Sequence, residues 1–293
     1  MSKVLYIDGP NLTMRALHAG LHGPMFSNGA DTAALTIFIN SLGKLVREEG
    51  PSYLGIAWDS PHKGFRHTLY EGYKANRAEA PVLDAKASTF ALVREFCDLA
   101  GIRSLSCPTM EADDIIARLW YVAVQGPIVI ASSDHDFLQL AGPNPSGVST
   151  EVLRFGKEND RWDAAKVSEY HDSPEHYPLI AALAGDPSDN IPGIKGIGPK
   201  KAVKLLEKHD WDLESALDEY PEERERVRTF FQMIDLRNSN FFPLLADAAP
   251  VPVGEQARTA SPELMTFLED YELKGALAKF RAGTFWRAIP YRR

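Results

Sequence analysis

Cysteine is scarce in this 293-residue sequence, which has only Cys97 and Cys107. Two thiols without a CxxC spacing make neither a disulfide framework nor a thiol zinc site, and they fit a reducing cytosol. Long apolar runs are also missing. No stretch approaches the roughly 18 apolar residues of a membrane span, so no membrane partner is expected. The opening MSKVLYIDGPN carries one lysine and a short apolar run, and reads as a strand rather than a signal peptide. No internal repeat or low-complexity tract stands out. A basic excess is lacking too, since the net charge is −8. As a sum, that charge argues against a nucleic-acid binder. Where the acids sit matters more than their total.

What is present is an ordinary globular composition, 44% hydrophobic and 25% charged. The length allows one large or two medium domains. Val4 to Ile7, Tyr53 to Trp58 and Ile128 to Ala131 are short apolar runs that read as buried strands. Helical periodicity covers residues 32–48, 84–100 and about 111–124. Strands alternating with helices predict an α/β fold with a mostly parallel sheet. Beyond about residue 150 the strands fade, and a mostly helical region is expected from about 165. Residues 246–262 read as a loop, and one last helix as spanning about 263–281.

Asp8, Asp59 and the Asp134/Asp136 pair each lie just past a strand's C-terminal end, where open α/β sheets place ligands. A single Asp there is usually a turn former or a helix cap. Three repetitions of the placement are harder to explain that way. Glu111, Asp113 and Asp114 open a helix, where one acid would suffice for the dipole. Asp186 and Asp189 can share one face of a turn, and for this pair turn chemistry competes evenly with function. Together the nine acids suggest a carboxylate pocket that needs cations. Oxygen ligands select Mg²⁺ or Mn²⁺, and scattered histidines with no cysteine in the pattern argue against a zinc centre. Two such ions about 3.5–4 Å apart form a clamp for attack on phosphate. Setting the nine aside leaves a charge of +1.

Residues 65–77, FRHTLYEGYKANR, interleave cations with Tyr70 and Tyr73, a pattern suited to stacking bases and holding phosphates. Gly193-Ile194-Lys195-Gly196-Ile197-Gly198-Pro199-Lys200-Lys201 places two glycine turns before a helix. It resembles a helix–hairpin–helix element, whose turn amides and lysines meet backbone phosphates without reading sequence. A plain loop with Pro199 at the first helical position is the competing reading.

The ordered set YIDGPNL with RALHA, AWD with FRHTLYEGYKANR, EADD, SSDHDFLQL and ALAGDPSDNIPGIKGIGPKKA resembles the 5′-nuclease family. That family includes the 5′→3′ exonuclease domain of bacterial DNA polymerase I, phage 5′-exonucleases and flap endonucleases. The resemblance spans roughly residues 4–206. It implies a PIN-like α/β domain over residues 1–165 with a helical arch near 62–95. A helical region over 166–293 would carry the helix–hairpin–helix at about 180–208, with C-terminal helices contributing to the core. Asp8, Asp59, Glu111, Asp113 and Asp114 would serve one metal site, and Asp134, Asp136, Asp186 and Asp189 a second. Lys74 and Arg77 would contact the scissile phosphate, and Tyr73 would stack on a base. Arg15, Arg66 and Tyr70 would help hold the strand, and Gly193, Lys195, Gly196, Gly198, Lys200 and Lys201 the duplex. A K⁺ would sit on the carbonyls of Ile194 and Ile197. His135 stands where many relatives carry lysine.

The resulting expectation is a free-standing, monomeric, cytoplasmic, bacterial or phage-borne 5′→3′ exonuclease and 5′-flap endonuclease using two Mg²⁺ or Mn²⁺. Its substrate would be duplex DNA with a 5′ end, flap or nick, or the RNA of an RNA–DNA hybrid. Products would carry a 5′-phosphate and a 3′-hydroxyl. A PIN-type ribonuclease and a non-catalytic binder of branched DNA stay open as alternatives. The hairpin speaks against the first, and the complete acid set against the second. A small-molecule phosphatase would leave the basic aromatic segment without a use.

Overall fold

The computed structural model describes residues 2–76, 83–155, 160–237, 251–252 and 261–286. Four parallel strands form the centre of its sheet, in the order Tyr53–Ala57, Val4–Asp8, Ile128–Ala131 and Ser149–Arg154. The middle two are buried along their whole length, as expected for parallel strands covered on both faces. Ser104–Leu105 extends the parallel set beside Tyr53–Ala57, while Val251–Pro252, Gly142–Pro143 and Asp160–Trp162 add short antiparallel pieces. Asp8 pairs with Ala57, and Ile7 with Ala131. The register therefore brings the C-terminal ends of three strands level, and the chain leaves all three at one edge.

Alternation along Val4–Asp8 feeds two cores. Leu5 and Ile7 face one with Phe38, Leu42 and Phe96, while Val4 and Tyr6 face the other with Ile116, Trp120 and Ile130. Helix Ala33–Glu49 buries Leu35, Phe38, Ile39, Leu42, Leu45 and Val46 at helical spacing. It ends where Gly50 turns left-handed (φ 52°) and donates its N–H to the Val46 carbonyl. A third core, around Leu183, Leu206, Phe230 and Met233, joins helices Tyr177–Ala184, Pro199–Lys208 and Arg224–Ile234.

The expected last helix is two, Pro262–Asp270 and Lys274–Arg281. Leu268 and Phe280 both return to the first core, so the chain must turn between them. Glu272 (φ 51°) makes that turn. Strands also persist beyond residue 150, to Trp162, and Val251–Pro252 adds one more within the expected 246–262 loop. Ser149–Arg154 is a short strand with an exposed start and an incomplete apolar pattern, which hid it. Most of the 246–262 loop, the arch segment 77–82 and Arg77 lie outside the described residues.

Candidate active site

Asp8 is both the last residue of its strand and the cap of helix Gly9–Gly20, accepting the Asn11 N–H at 3.0 Å. Ser132 donates its hydroxyl to the other oxygen at 2.7 Å. Burial pushes the Asp8 carboxyl up to about 7, and the charges of Asp134 and Asp59 add to the effect. Asp59 is exposed and accepts the Ala112 N–H at 2.9 Å, at the start of helix Ala112–Val122. Asp134 accepts the Asp136 N–H at 3.0 Å. Capping and clustering are therefore compatible roles for these acids.

Glu111, Asp113 and Asp114 gather around Arg66. The guanidinium meets both Asp114 oxygens, Nη2 to Oδ1 at 2.8 Å and Nη1 to Oδ2 at 2.9 Å. It also reaches Glu111 at 3.3 Å and Asp113 at 3.7 Å. Tyr73 donates its hydroxyl to Glu111 at 2.6 Å, and Lys74 its ammonium at 2.8 Å. Burial pushes the Glu111 carboxyl up, but Lys74 and Arg66 outweigh it and hold it below the usual glutamate range. Asp113 goes the other way: burial, then Asp114 and Glu111, push it well above the usual range despite Arg66.

The remaining acids meet across the join between sheet and helical region. Ligand oxygens of Asp136, Asp186 and Asp189 all lie within 4.8 Å of one another. Burial and the charges of Asp134, Asp186 and Asp189 drive the Asp136 carboxyl well above its usual range. This donor set is entirely carboxylate oxygen, and a divalent cation would relieve its repulsion, so the residues fit Mg²⁺ or Mn²⁺. Lys74 links the clusters, its ammonium lying 3.9 Å from Asp189.

The segment 185–198 shows how one loop carries acids and glycines together. Asp186 and Ile191 exchange backbone hydrogen bonds of 2.8 Å, folding Asp186 and Asp189 back toward the sheet. Gly193 (φ 63°) lies so close to the end of helix Tyr177–Ala184 that a Cβ would sit 2.3 Å from the Gly185 nitrogen. Its glycine serves this close packing; Gly193 is buried and does not face outward as a phosphate contact would. Lys195, Gly196, Gly198, Lys200 and Lys201 are exposed, with the hairpin opening onto helix Pro199–Lys208. Lys201 donates its ammonium to the Gly196 carbonyl at 2.9 Å, and the Ile194 carbonyl accepts the Ile197 N–H at 3.0 Å. The basic segment is tied to the same loop: Lys74 N–H bonds the Asp189 carbonyl, Asn76 bonds Pro187, and Asn190 bonds Gly72.

Three residues expected at a DNA surface lie inward. Arg66 is 4% exposed and spent on acids. Tyr73 is 3% exposed, with its ring edge-on to His67, and Tyr70 is half-buried against Phe230. Their segment packs on helix Arg224–Ile234, whose apolar face claims the rings. Arg15 is exposed as expected, beside Phe155. Sequence reasoning missed Ser132, Asn11 and Tyr177, the last donating its hydroxyl to Asp136 at 3.3 Å. Ser132 becomes visible once Ile7 is paired with Ala131, which puts it beside Asp8. Tyr177 leaves no signal in the sequence.

Comparison with known proteins fits this geometry. The family described as "5′-3′ exonuclease, N-terminal resolvase-like domain" matches residues 3–172, and "5′-3′ exonuclease, C-terminal SAM fold" matches residues 172–242. A 5′-3′ exonuclease of Aquifex aeolicus is 36% identical over 212 residues, covering 71% of this chain and 70% of that protein. The thermostable DNA polymerase I of Thermus thermophilus is 34% identical over 286 residues, covering 95% of this chain. The chain spans about a third of that polymerase's length, 33%. Among solved structures, T5 5′-exonuclease with bound divalent metal ions (zinc) superposes with a TM-score of 0.66 at 18% identity, covering 92% of this chain and 98% of the other. The catalytic core of Rad2 in complex with DNA substrate gives 0.56 at 17% identity, covering 100% and 92%. Family matches running from residue 3 to residue 242 place the chain in the 5′-3′ exonuclease family.

Proposed function

We propose that this chain cleaves duplex DNA at a 5′ end, flap or nick, with Mg²⁺ as its working ion, leaving a 5′-phosphate and a 3′-hydroxyl. As a member of its family it is a metal-dependent 5′-nuclease that hydrolyses DNA phosphodiester bonds. The observation that carries the reading is the convergence of Asp136, Asp186 and Asp189 from two regions of the chain onto one point. These three would hold one divalent ion, with Asp134 beside them. Asp8, Asp59, Glu111 and Asp113 would hold a second. When bound, such ions polarise the phosphoryl oxygens and make water a stronger nucleophile.

The chain's own residues do the rest. Lys74, within reach of Glu111 and Asp189, would turn its ammonium to the scissile phosphate and offset the charge that develops there. Arg77 would act with it. Lys195, Lys200 and Lys201 and the amides of the Gly196–Gly198 turn would hold duplex phosphates without reading sequence. A K⁺ on the carbonyls of Ile194 and Ile197 would firm up that turn. In this reading the α/β part (1–165) supplies most of the cleavage site, and the helical part (166–293) adds Asp186 and Asp189 to it and grips the duplex. The protein acts as a cytoplasmic monomer, and RNA–DNA hybrids are a further substrate. No helix among the described residues is long and apolar enough to cross a membrane.

The test uses a 5′-labelled flap duplex with and without Mg²⁺, comparing the wild type with Asp186→Asn. Mg²⁺-dependent cutting near the flap base, much reduced in a variant that still binds, supports the reading. Wild-type binding without cutting, in Mg²⁺ and in Mn²⁺, would make the protein a branched-DNA binder instead.

A further inference from the structure

Arg66 does something the family resemblance does not assign to it. Its side chain is 5% exposed, and all three guanidinium nitrogens are engaged. Nη1 and Nη2 grip Asp114 as a fork, Nη1 also reaches Glu111, and Nε donates to the Met233 carbonyl at 2.8 Å. Met233 lies on helix Arg224–Ile234 and Glu111 at the start of helix Ala112–Val122. One planar group thus joins the helical region to the acids at the sheet edge. Asp114 is correspondingly occupied: its Oδ1 meets Nη2, and its Oδ2 meets Nη1 and the Glu111 N–H at 3.0 Å.

We propose that Arg66 and Asp114 form a positioning clamp. Asp114 is the internal counter-ion of Arg66, not a ligand of the cation. The pair holds Glu111 and Asp113 at the angle from which the lone pairs that their hydrogen bonds leave over would serve it. Two geometric facts carry this. The Glu111 backbone is held by Asp114 while its side chain is held by Arg66, so the clamp fixes that residue at both ends. Asp113 is held through its carboxylate alone: its Oδ1 accepts the Asp114 backbone N–H at 2.7 Å, and its Oδ2 lies 3.7 Å from Arg66. Only a fork of fixed planar geometry makes these contacts together. A lysine offers one point charge and cannot bridge Asp114, Glu111 and Met233 at once. Groups that orient ligands change metal affinity by about ten- to a hundredfold when removed.

The inference rests on the divalent-metal reading, so the experiment separates the two. Mn²⁺ alone is titrated by calorimetry into the full chain, its Arg66→Lys variant and the double variant Arg66→Met with Asp114→Leu, with melting temperatures in parallel. Replacing a buried ion pair with apolar groups of similar volume often leaves stability intact. The expected result is a double variant that melts near the wild type yet binds Mn²⁺ at least tenfold more weakly. Arg66→Lys should show the same direction of change, and it decides the question if the double variant does not fold. Mn²⁺ affinity within twofold of wild type in a folded variant would overturn the clamp alone. No Mn²⁺ binding by the wild type would overturn the metal reading, and the clamp with it.

Discussion

Two groups of acids in this molecule keep opposite electrical company. Glu111, Asp113 and Asp114 are threaded by Arg66 and Lys74, cations that fold with them. Asp136, Asp186 and Asp189 meet Lys74 from farther off, at 3.9 Å from Asp189. Glu111 accordingly stays below its usual range, although Asp113 beside it rises well above, as Asp136 does in the second group. The first group is largely neutralised by the protein. In the second, burial and the neighbouring acids make Asp136 hold its proton more tightly than a free carboxyl. The hydrogen-bonded Asp186–Ile191 loop holds that second group together against its own repulsion.

The strongest way to break this contrast is to remove an acid from the second group. Asp189→Asn should lower Mg²⁺-dependent cleavage by on the order of 10²–10³-fold, since a bound ion is worth several kcal/mol of charge stabilisation. Single-turnover cleavage of a 5′-flap duplex measures it, and a variant retaining more than a tenth of wild-type rate would refute the assignment. Next comes the stability of the metal-free chain. Glu111→Gln takes from Lys74 the nearer of its two acid partners and weakens the hold on Arg66, and should cost about 3 kcal/mol. Asp136→Asn relieves repulsion and should stabilise by about 1 kcal/mol, near 2–4 °C in melting temperature. Melting both in chelator reads the two signs, and equal signs would mean the two groups do not differ.

Much of this contrast could not be read from the sequence. Asp8, Asp59 and Asp134 were legible because each follows a short apolar run, and a parallel sheet levels such ends. The convergence of Asp186 and Asp189 on Asp136 was legible only through resemblance, because the stretch from Asp136 to Asp186 carries no local signal that its ends meet. The role of Arg66 was not legible at all. Its fork partner lies 48 residues away, and in the sequence a cation beside aromatics looks the same whether it faces solvent or the core. Tyr70 and Tyr73 misled for that reason: the Tyr70 ring packs on Phe230 of helix Arg224–Ile234, and Tyr73 is buried in the third core with its hydroxyl on Glu111. The split C-terminal helix escaped because both halves carry apolar faces, and only the fold decides where the chain turns back.

Smaller effects should appear with pH. The Asp8 carboxyl sits at about 7 in the folded chain, against 3.8 when unperturbed. Its proton is therefore bound more tightly in the folded chain. The stability this gives is fully present below about pH 4 and is lost as pH rises through about 7. Metal-free melting temperatures should fall over that window, and Asp8→Asn should flatten the fall. A ligand must shed that proton, so Mn²⁺ affinity should drop about tenfold for each pH unit below 7. Calorimetry at several pH values measures it, and an affinity independent of pH between 5 and 7 would remove Asp8 from the ligand set.

The finest distinction separates cations already spent inside the fold from those left at the surface. Lys195 and Lys200 are exposed on the hairpin, while Lys201 also holds the Gly196 carbonyl. Removing one lysine–phosphate pairing should reduce the slope of log affinity against log salt by about 0.9. Lys200→Ala should therefore change the slope by about that amount and leave cleavage at saturating DNA unchanged. Lys201→Ala should change the slope and also loosen the turn, so its affinity should fall further than that of Lys200→Ala at every salt concentration. Binding isotherms in Ca²⁺ over a salt series separate the two. A Lys200→Ala slope equal to that of wild type would move the duplex grip away from the hairpin, leaving the exposed Arg15 as the next cation to test. That outcome would also mean that the glycines of 185–198 serve only to fold two acids back to the sheet.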